Sequence, residues 1–225
     1  MKKKELVSII QQTKPFNNPK VKLEQYCIDA VSAVDILFFA GFEHDDIKDR
    51  IIIDLGAGTG RLSIVALYLQ AQIVLSVDID QSALSILKNN CEELELYHLV
   101  HPINSEIIQL PFLRERIRNA PKITTIMNPP FGIQTKKADR IFLDKAFEYS
   151  DVIYSIHLSN DDNREFLISY IEKKQWIVDD IFTFNMILEK TFEFHTQKRK
   201  KVLVDLYRIV KRDWFIDRIS NRQNS

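Results

Sequence analysis

Cysteine is scarce in this sequence, because among 225 residues only Cys27 and Cys91 occur, far apart along the chain. Their separation matches no spacing that is typical of metal ligands or of a redox-active pair. We therefore predict two ordinary thiols, as is usual in a reducing compartment, and no metal site.

An excess of charge of either sign is also absent. Lysine and arginine together number 31, as do aspartate and glutamate, so the formal net charge is zero. No global field would draw the whole molecule onto nucleic acid, a membrane surface or an acidic partner. Any such binding must come from a local patch.

Long hydrophobic runs are lacking as well. No run approaches the roughly 18 apolar residues that a helix needs to span a bilayer. The apolar stretch near the start, in MKKKELVSIIQQTK, is broken by Ser8 and is too short for a signal peptide. We expect a soluble, cytoplasmic protein.

Hydrophobic residues make up 45% of the chain, which is enough for one sizeable core at this length. We therefore predict a single domain over residues 1–225. Its parts would be an N-terminal cap at 1–25, a core sheet at 50–210 and a C-terminal tail at 211–225.

Short β-rich runs alternate with helical patterns through that core. Strands are predicted at 50–56, 73–79, 97–103, 122–128, 151–158, 176–184 and 201–210. Helices are predicted at 61–70, 81–94, 138–149 and 163–174. Strands separated by helices imply a mostly parallel sheet with helices on both faces. The segment 185–200 has no helical stripe, so an antiparallel last strand completes the predicted α/β fold of seven strands.

The first chemical motif is DLGAGTG at residues 54–60, where a strand ends and a helix opens. Gly56, Gly58 and Gly60 allow the backbone to turn tightly and to expose amides to a ligand. A dinucleotide-binding loop usually has the spacing G-x-G-x-x-G, whereas this loop reads G-x-G-x-G after an acid. By itself the motif could be a plain strand-to-helix turn.

Two aspartates indicate which ligand the loop would take. Asp54 would repel a pyrophosphate but could hold the ammonium group of an amino-acid moiety, directly or through water. Asp78, at the end of the second strand, is placed to accept hydrogen bonds from both hydroxyls of a ribose. Together they predict S-adenosylmethionine, whereas Asp80 is expected to cap the following helix.

The motif NPPF at 128–131 ends the fourth strand with two prolines, which remove two backbone donors. Open α/β sheets bind ligands at this carboxyl edge, so the corner would face the transferable methyl group. Asn128 would offer a side-chain carbonyl and Pro129 a main-chain carbonyl to the N–H groups of a planar amine. Phe131 would stack on the ring that carries the amine.

Basic residues form two local clusters. They are Lys198, Arg199, Lys200 and Lys201 near the last strand, and Lys136 and Lys137 after the corner. Contacts to phosphates would give them salt-dependent affinity for RNA, although the first cluster could also be a solvated turn. Methyl transfer depends on orientation more than on a strong base, so His157 and His195 are expected to make structural hydrogen bonds.

Six segments together resemble the methyltransferase-like family that modifies one adenine of small-subunit ribosomal RNA. They are LEQY at 23–26, DLGAGTGRLSI at 54–64, VDIDQSAL at 77–84, MNPPFG at 127–132, YSIHL at 154–158 and FEFHTQKRKKVLVDLYR at 192–208. The resemblance implies the class I, Rossmann-like methyltransferase fold. It also implies that S-adenosylmethionine donates a methyl group to the 6-amino group of an adenosine.

The resemblance also implies roles for single residues and for a partner. Gln25 and Tyr26 would close over the cofactor, and Asn104 or Ser105 would hold its adenine ring in place of the aspartate usual in the family. A small activator protein would add to the edge of the sheet. The corner residues that would receive the substrate adenine are Asn128, Pro129, Pro130 and Phe131.

Three other functions stay open at this point. A protein glutamine methyltransferase would use the same amide-holding geometry, but usually has tyrosine at the position of Phe131 and an additional N-terminal helical domain. A DNA adenine methyltransferase normally has a separate target-recognition domain. An inactive RNA-binding module would not need Asp54, Asp78 and Asn128 intact.

Overall fold

The structure is a computed structural model that describes residues 1–111, 121–131, 138–189 and 199–215. The strands are β1 (Ile51–Leu55), β2 (Ile73–Asp78), β3 (Val100–Asn104), β4 (Ile123–Met127), β5 (Val152–Leu158), β6 (Trp176–Glu189) and β7 (Arg199–Lys211). The α-helices are α1 (Lys3–Gln12), α2 (Ala30–Phe38), α3 (Arg61–Tyr68), α4 (Gln81–Glu93), α5 (Ala138–Tyr149) and α6 (Asp161–Lys173).

All seven strands form one sheet, in the order β3-β2-β1-β4-β5-β7-β6. The neighbouring pairs from β3 to β5 are parallel, and β7 is antiparallel to both β5 and β6. The predicted α/β fold is confirmed, including the antiparallel return at the end of the chain. Both hairpin strands are longer than the predicted 176–184 and 201–210.

Successive residues of the central strands point to opposite faces of the sheet, and both faces are covered. Ile52 belongs to an apolar cluster built with α1 to α4, whereas Ile53 belongs to a second cluster built with α5 and α6. On β7, Leu206 belongs to the first cluster and Tyr207 to the second. This two-sided burial explains why β1 and β2 read as nearly continuous apolar runs.

A buried ionic network ties the hairpin to the chain before β1. Arg208 on β7 donates to Asp46 over 2.8 Å, and the hydroxyl of Tyr154 on β5 donates to the same carboxylate oxygen over 2.7 Å. Arg50 contacts the other oxygen of Asp46 at 2.7 Å. Because all of these groups have partners, their hydrogen bonds and charge pairing offset part of the cost of burying them.

The parallel strands bring the chemical motifs to one edge of the sheet. Asp78 is the last residue of β2, and the glycine loop follows β1 directly. The NPPF corner follows β4, beside β1. Among the residues that the structure describes, no helix has the length and apolar character needed to cross a membrane.

Candidate active site

A cavity of about 330 Å³ opens at the carboxyl edge of β1, β2 and β4. Its floor includes Gly56, Gly58 and Asp78, and one side includes Asn128 and Pro130. The remaining wall comes from other segments of the chain. The wall residues include Phe16, Leu23, Gln25, Tyr26, Glu106, Ile107, Ile108 and Phe142.

The three glycines of the loop all have positive φ, which side-chain-bearing residues rarely adopt. Gly56 and Gly58 line the cavity. A Cβ atom on Gly60 would lie 2.6 Å from Cγ of Leu87, so this glycine lets α4 pack against the start of α3. Gly60 is thus placed for packing, and its predicted contact with the cofactor stays a prediction.

Asp54 lies beneath the glycine loop and is 1% exposed. One carboxylate oxygen accepts a 2.5 Å hydrogen bond from Ser63, whereas Oδ1 is buried with no hydrogen-bond partner in the described parts of the chain. Burial raises the pKa of Asp54 to about 7. A buried acceptor without a donor costs free energy, and an ammonium group or a bridging water could satisfy it. Asp54 is not among the residues that line the cavity, so its predicted contact with the cofactor stays a prediction.

Asp78 faces the cavity while its carboxylate is held by the backbone. It accepts hydrogen bonds from the amide of Gly58 and the amide of Asp80, both of 2.8 Å. Burial raises the pKa of this carboxyl group, and the two amide hydrogen bonds oppose that shift. The geometry fits the predicted role as an acceptor for ribose hydroxyls, because the carboxylate lines the cavity.

Asp80 caps α4, as predicted, by accepting a hydrogen bond from the amide of Ser82. It also accepts from Lys20 and from the side-chain amide of Gln25, each over 2.8 Å. Although burial opposes the shift, these hydrogen bonds hold the pKa of Asp80 below its usual range. Gln25 therefore joins the wall of the cavity to the start of α4.

The N-terminal segment 13–28 covers the glycine loop because buried polar groups anchor both of its ends. Arg61, the first residue of α3, donates to the hydroxyl of Thr13 over 3.2 Å and to the carbonyl of Ile28 over 2.7 Å. Sequence reasoning missed Arg61. Its position directly after the glycine motif, and its basic charge in an otherwise apolar helix start, were the available signals.

The NPPF corner meets the N-terminal segment at Asn128. The hydroxyl of Tyr26 donates to Oδ1 of Asn128 over 3.1 Å, and the ring of Tyr26 lies 5.7 Å from that of Phe131. Burial raises the pKa of Tyr26, so the hydroxyl keeps its proton and acts as a donor. A carbonyl oxygen has two lone pairs, which leaves Oδ1 able to accept a second hydrogen bond.

His157, near the end of β5, is 3% exposed. Its Nε2 lies 2.6 Å from the hydroxyl oxygen of Ser155, so the predicted structural hydrogen bond is present. Burial lowers the pKa of His157 to about 3, which keeps the ring neutral. His195 lies outside the described residues.

Asn104 and Ser105 have other partners than a ligand. The side-chain amide of Asn104 donates to the carbonyls of Asp78 and Ile79, and the hydroxyl of Ser105 donates to the carbonyl of Glu106. The lining residues on this side of the cavity are Glu106, Ile107 and Ile108. The predicted contact of Asn104 or Ser105 with the cofactor's adenine stays a prediction, because nothing in the structure tests it.

The structure describes the predicted basic clusters only in part. Lys136, Lys137 and Lys198 lie outside the described residues. Arg199 and Lys200 begin β7, and Lys201 is exposed on the same strand. Leu158, the last residue of β5, pairs with Val204 on β7. Arg199, Lys200 and Lys201 precede Val204 and therefore extend past the carboxyl edge of the sheet, where the cavity opens.

Some known proteins resemble part of the chain, and others resemble nearly all of it. A family model described as ribosomal protein L11 methyltransferase (PrmA) matches residues 25–110, the part that holds the glycine loop and Asp78. An uncharacterized protein of Methanocaldococcus jannaschii is 37% identical over 214 residues, which covers 94% of this chain and 95% of its own.

The rRNA N(6)-adenosine-methyltransferase METTL5 of Danio rerio is 35% identical over 215 residues, covering 92% of this chain and 98% of its own. The chain belongs to this METTL5 family. The prediction of an adenine N(6)-methyltransferase is thereby confirmed at the level of the family.

Among solved structures, a Pyrococcus horikoshii protein described as a candidate RNA methyltransferase superposes with a TM-score of 0.82 and 37% identity. The superposition covers 94% of this chain and 98% of that one. The predicted class I methyltransferase fold is therefore confirmed.

Proposed function

We propose that the protein transfers a methyl group from S-adenosylmethionine to the 6-amino group of an adenosine in small-subunit ribosomal RNA. The observation that carries this proposal is the position of Asn128. Asn128 lines the cavity that also contains Gly56, Gly58 and Asp78. An acceptor for the substrate amine is thus next to the space for the methyl donor.

Residues that line the cavity, and Asp54 beneath the glycine loop, would hold the cofactor. Asp54, with its unpaired buried oxygen, would hold the ammonium group, and Asp78 would accept hydrogen bonds from the ribose. Gln25 and Tyr26 form the wall that would close over it. When bound, the cofactor supplies a methyl group on a sulfonium, which is already activated for displacement.

The corner residues would prepare the amine for that displacement. The lone pair of the 6-amino group is delocalised into the adenine ring, so the group is a poor nucleophile. Asn128 Oδ1 and the carbonyl of Pro129 would accept its two N–H groups, which favours a pyramidal nitrogen with its lone pair directed at the methyl carbon. Pro130 would stiffen the corner, and Phe131 would stack on the base, a contact worth about 1–3 kcal/mol.

Ribosomal RNA is proposed as the substrate because of the family and of the basic residues. Arg199, Lys200 and Lys201 begin the strand that extends past the carboxyl edge, where phosphates of a bound RNA would pass. Lys136, Lys137 and Lys198 are proposed to contact RNA as well, because of their charge in the sequence. Neutralised phosphates release counterions, so we expect affinity for RNA to fall steeply with salt.

A small activator protein would bind at the free edge of β3. In the described part of the sheet, β3 is hydrogen-bonded to β2 alone, and its residues His101 and Pro102 are exposed. An edge strand with an unpaired side can accept a strand of another protein.

The PrmA match favours a protein substrate as the second candidate, but it ends at residue 110. It therefore covers the half of the chain that would bind the cofactor and stops before Asn128.

The test mixes the protein and labelled S-adenosylmethionine with one candidate substrate in each reaction. The candidates are small-subunit rRNA, large-subunit rRNA, ribosomal protein and DNA. Digestion to nucleosides or amino acids then identifies the methylated group.

We expect label in 6-methyladenosine from small-subunit rRNA. Asn128→Ala should abolish it, whereas Asn89→Ala, a matched change at an exposed position of α4, should leave it unchanged. Label in protein or DNA would show that RNA is the wrong substrate, although the protein would still be a methyltransferase. Label in large-subunit rRNA would overturn the choice of subunit alone.

A further inference from the structure

Arg61, the first residue of α3, places a buried positive charge at the cofactor cavity. The residue is 7% exposed and belongs to the lining of the cavity. Its two hydrogen bonds go to neutral acceptors, which are the hydroxyl of Thr13 and the carbonyl of Ile28. Both acceptors orient the guanidinium, but neither carries a charge that would balance it.

Three other arginines of this fold have a carboxylate as partner. Arg50, Arg164 and Arg208 each contact an aspartate, at 2.7, 2.7 and 2.8 Å. Arg61, in contrast, forms no ion pair with a carboxylate in the described parts of the chain. A desolvated charge without a counter-ion costs free energy, and the first turn of a helix adds to the cost because partial positive charge accumulates there.

The guanidinium of Arg61 has donors left for an anion. A guanidinium carries five N–H groups in a planar fork, and the two hydrogen bonds within the protein come from Nε and Nη1. Among the described residues, none accepts a hydrogen bond from Nη2. A carboxylate can accept two parallel hydrogen bonds from such a fork. A carboxylate bound in the cavity would therefore supply both a countercharge and acceptors.

S-adenosylmethionine offers a protein a single anionic group, the carboxylate of its methionine moiety. Its other charged groups, the ammonium and the sulfonium, are cations, and the molecule has no phosphate. Asp54 and Asp78 would take the ammonium group and the ribose, so the carboxylate is the charged end of the amino-acid moiety that still needs a partner.

Lys22 is the other cationic residue in the described lining of the cavity. It belongs to the short helical turn Val21–Leu23 and is exposed. Water and salt screen an exposed ammonium, so its attraction for a carboxylate is weak. Burial makes the same attraction stronger at Arg61. These differences favour Arg61 over Lys22 as the partner of the carboxylate.

We propose that the guanidinium of Arg61 binds the carboxylate of S-adenosylmethionine. This proposal rests on the proposed function and deepens it, since it adds a binding residue for the same cofactor. Arg61 also donates to Thr13 and Ile28, the two ends of the segment that covers the glycine loop. One side chain would thus connect the bound cofactor with the segment above it.

The test compares two ligands that differ only at the carboxylate. Decarboxylated S-adenosylmethionine keeps the adenine, ribose, sulfonium and ammonium groups and has hydrogen in place of the carboxylate. Titration calorimetry measures the Kd of each ligand with wild-type protein and needs no RNA. We expect the decarboxylated ligand to bind about 10- to 100-fold more weakly, as for the loss of a hydrogen-bonded charge pair.

Three variants then assign the preference to one residue. Arg61→Gln should bind S-adenosylmethionine about 10- to 100-fold more weakly than wild-type protein and give nearly equal Kd values for the two ligands. Arg61→Lys keeps a cation without the planar fork, so a reduced preference for the carboxylate should remain. Lys22→Gln removes one positive charge from an exposed position of the same lining and should keep the wild-type preference.

Equal Kd values for the two ligands with wild-type protein would overturn the proposal, and this outcome does not depend on any variant. Weakening of both ligands by one common factor in Arg61→Gln would also overturn it, since a residue that only anchors the covering segment acts in that way. Loss of the preference in Lys22→Gln would assign the carboxylate to Lys22 instead. If wild-type protein binds neither ligand, the proposed function fails first and this proposal fails with it.

Discussion

The hydroxyl of Tyr26 donates a 3.1 Å hydrogen bond to Oδ1 of Asn128, across 102 positions of the chain. Tyr26 belongs to the wall of the cofactor cavity, and Asn128 begins the corner that would hold the substrate amine. One hydrogen bond thus connects the segment over the cofactor with the acceptor of the substrate. Its direct effect is to orient the Asn128 amide with its oxygen toward the cavity wall.

Replacing Tyr26 by phenylalanine should slow methyl transfer. The ring stays beside Phe131, but Asn128 loses the donor that orients its amide, a loss of about 0.5–1.5 kcal/mol. We expect a decrease of about 2- to 10-fold in single-turnover rate, with little change in affinity for S-adenosylmethionine. A Tyr26→Phe protein that methylates at the wild-type single-turnover rate would contradict this role of the hydrogen bond.

Replacing Asp78 by asparagine should weaken cofactor binding. The carboxylate accepts from the amides of Gly58 and Asp80, and it would also accept from the ribose. An amide can offer only one acceptor oxygen, so we expect the Kd for S-adenosylmethionine to rise by about 10- to 100-fold. Titration calorimetry would measure this.

The control for Asp78 is Glu92→Gln, which removes the same charge from an exposed position on α4. Its Kd should equal that of wild-type protein. A similar weakening in both variants would mean that net charge, and not the position of Asp78, sets the affinity.

Two alanine substitutions in the glycine loop should have different consequences. In Gly58→Ala the new Cβ would lie 2.9 Å from the ring of Phe16, which lines the cavity, so cofactor affinity should fall. In Gly60→Ala it would lie 2.6 Å from Cγ of Leu87 in the core, so the free energy of unfolding should fall by about 1–3 kcal/mol or more.

Denaturant unfolding and cofactor titration of both glycine variants separate the two effects. Gly58→Ala should show the larger change in Kd, and Gly60→Ala the larger loss of stability. Because both glycines have positive φ, some destabilisation is expected in each. The reverse order would show that the loop packs differently from the structure.

The pH dependence of stability should report on Asp54. Burial raises its pKa in the folded protein to about 7, above the value near 3.9 of an exposed aspartate. Between about pH 4 and pH 7 the folded state therefore holds a proton that the unfolded state has lost. The contribution of Asp54 to the free energy of unfolding should therefore fall with rising pH in this window, by at most about 1.4 kcal/mol per pH unit.

The Asp54→Asn variant isolates this group. Its stability relative to wild-type protein should increase from pH 4 to pH 7 and then stay constant, as measured by urea unfolding without cofactor. Parallel stability curves for the two proteins would mean that Asp54 titrates in the ordinary range.

Sequence patterns predicted the succession of seven strands along the chain and most of their bounds. β1, β2, β4 and β5 each lie within one residue of the predicted limits, because burial on both faces leaves a distinct apolar run. The third strand begins at Val100 and not at residue 97, since an exposed edge strand imposes a weaker pattern. Helix α2, at Ala30–Phe38, was not predicted at all.

Residue types and their order along the chain set the local chemistry of the site. Glycines in the loop permit positive φ, and prolines stiffen the corner. The loop and the corner each follow a parallel strand, so both lie at the carboxyl edge of the sheet. Two features depend on how distant segments pack: Tyr26 reaches Asn128, and Arg61 anchors the covering segment. These contacts join residues from different elements, and their distances depend on how the helices pack on the sheet, which no local pattern encodes.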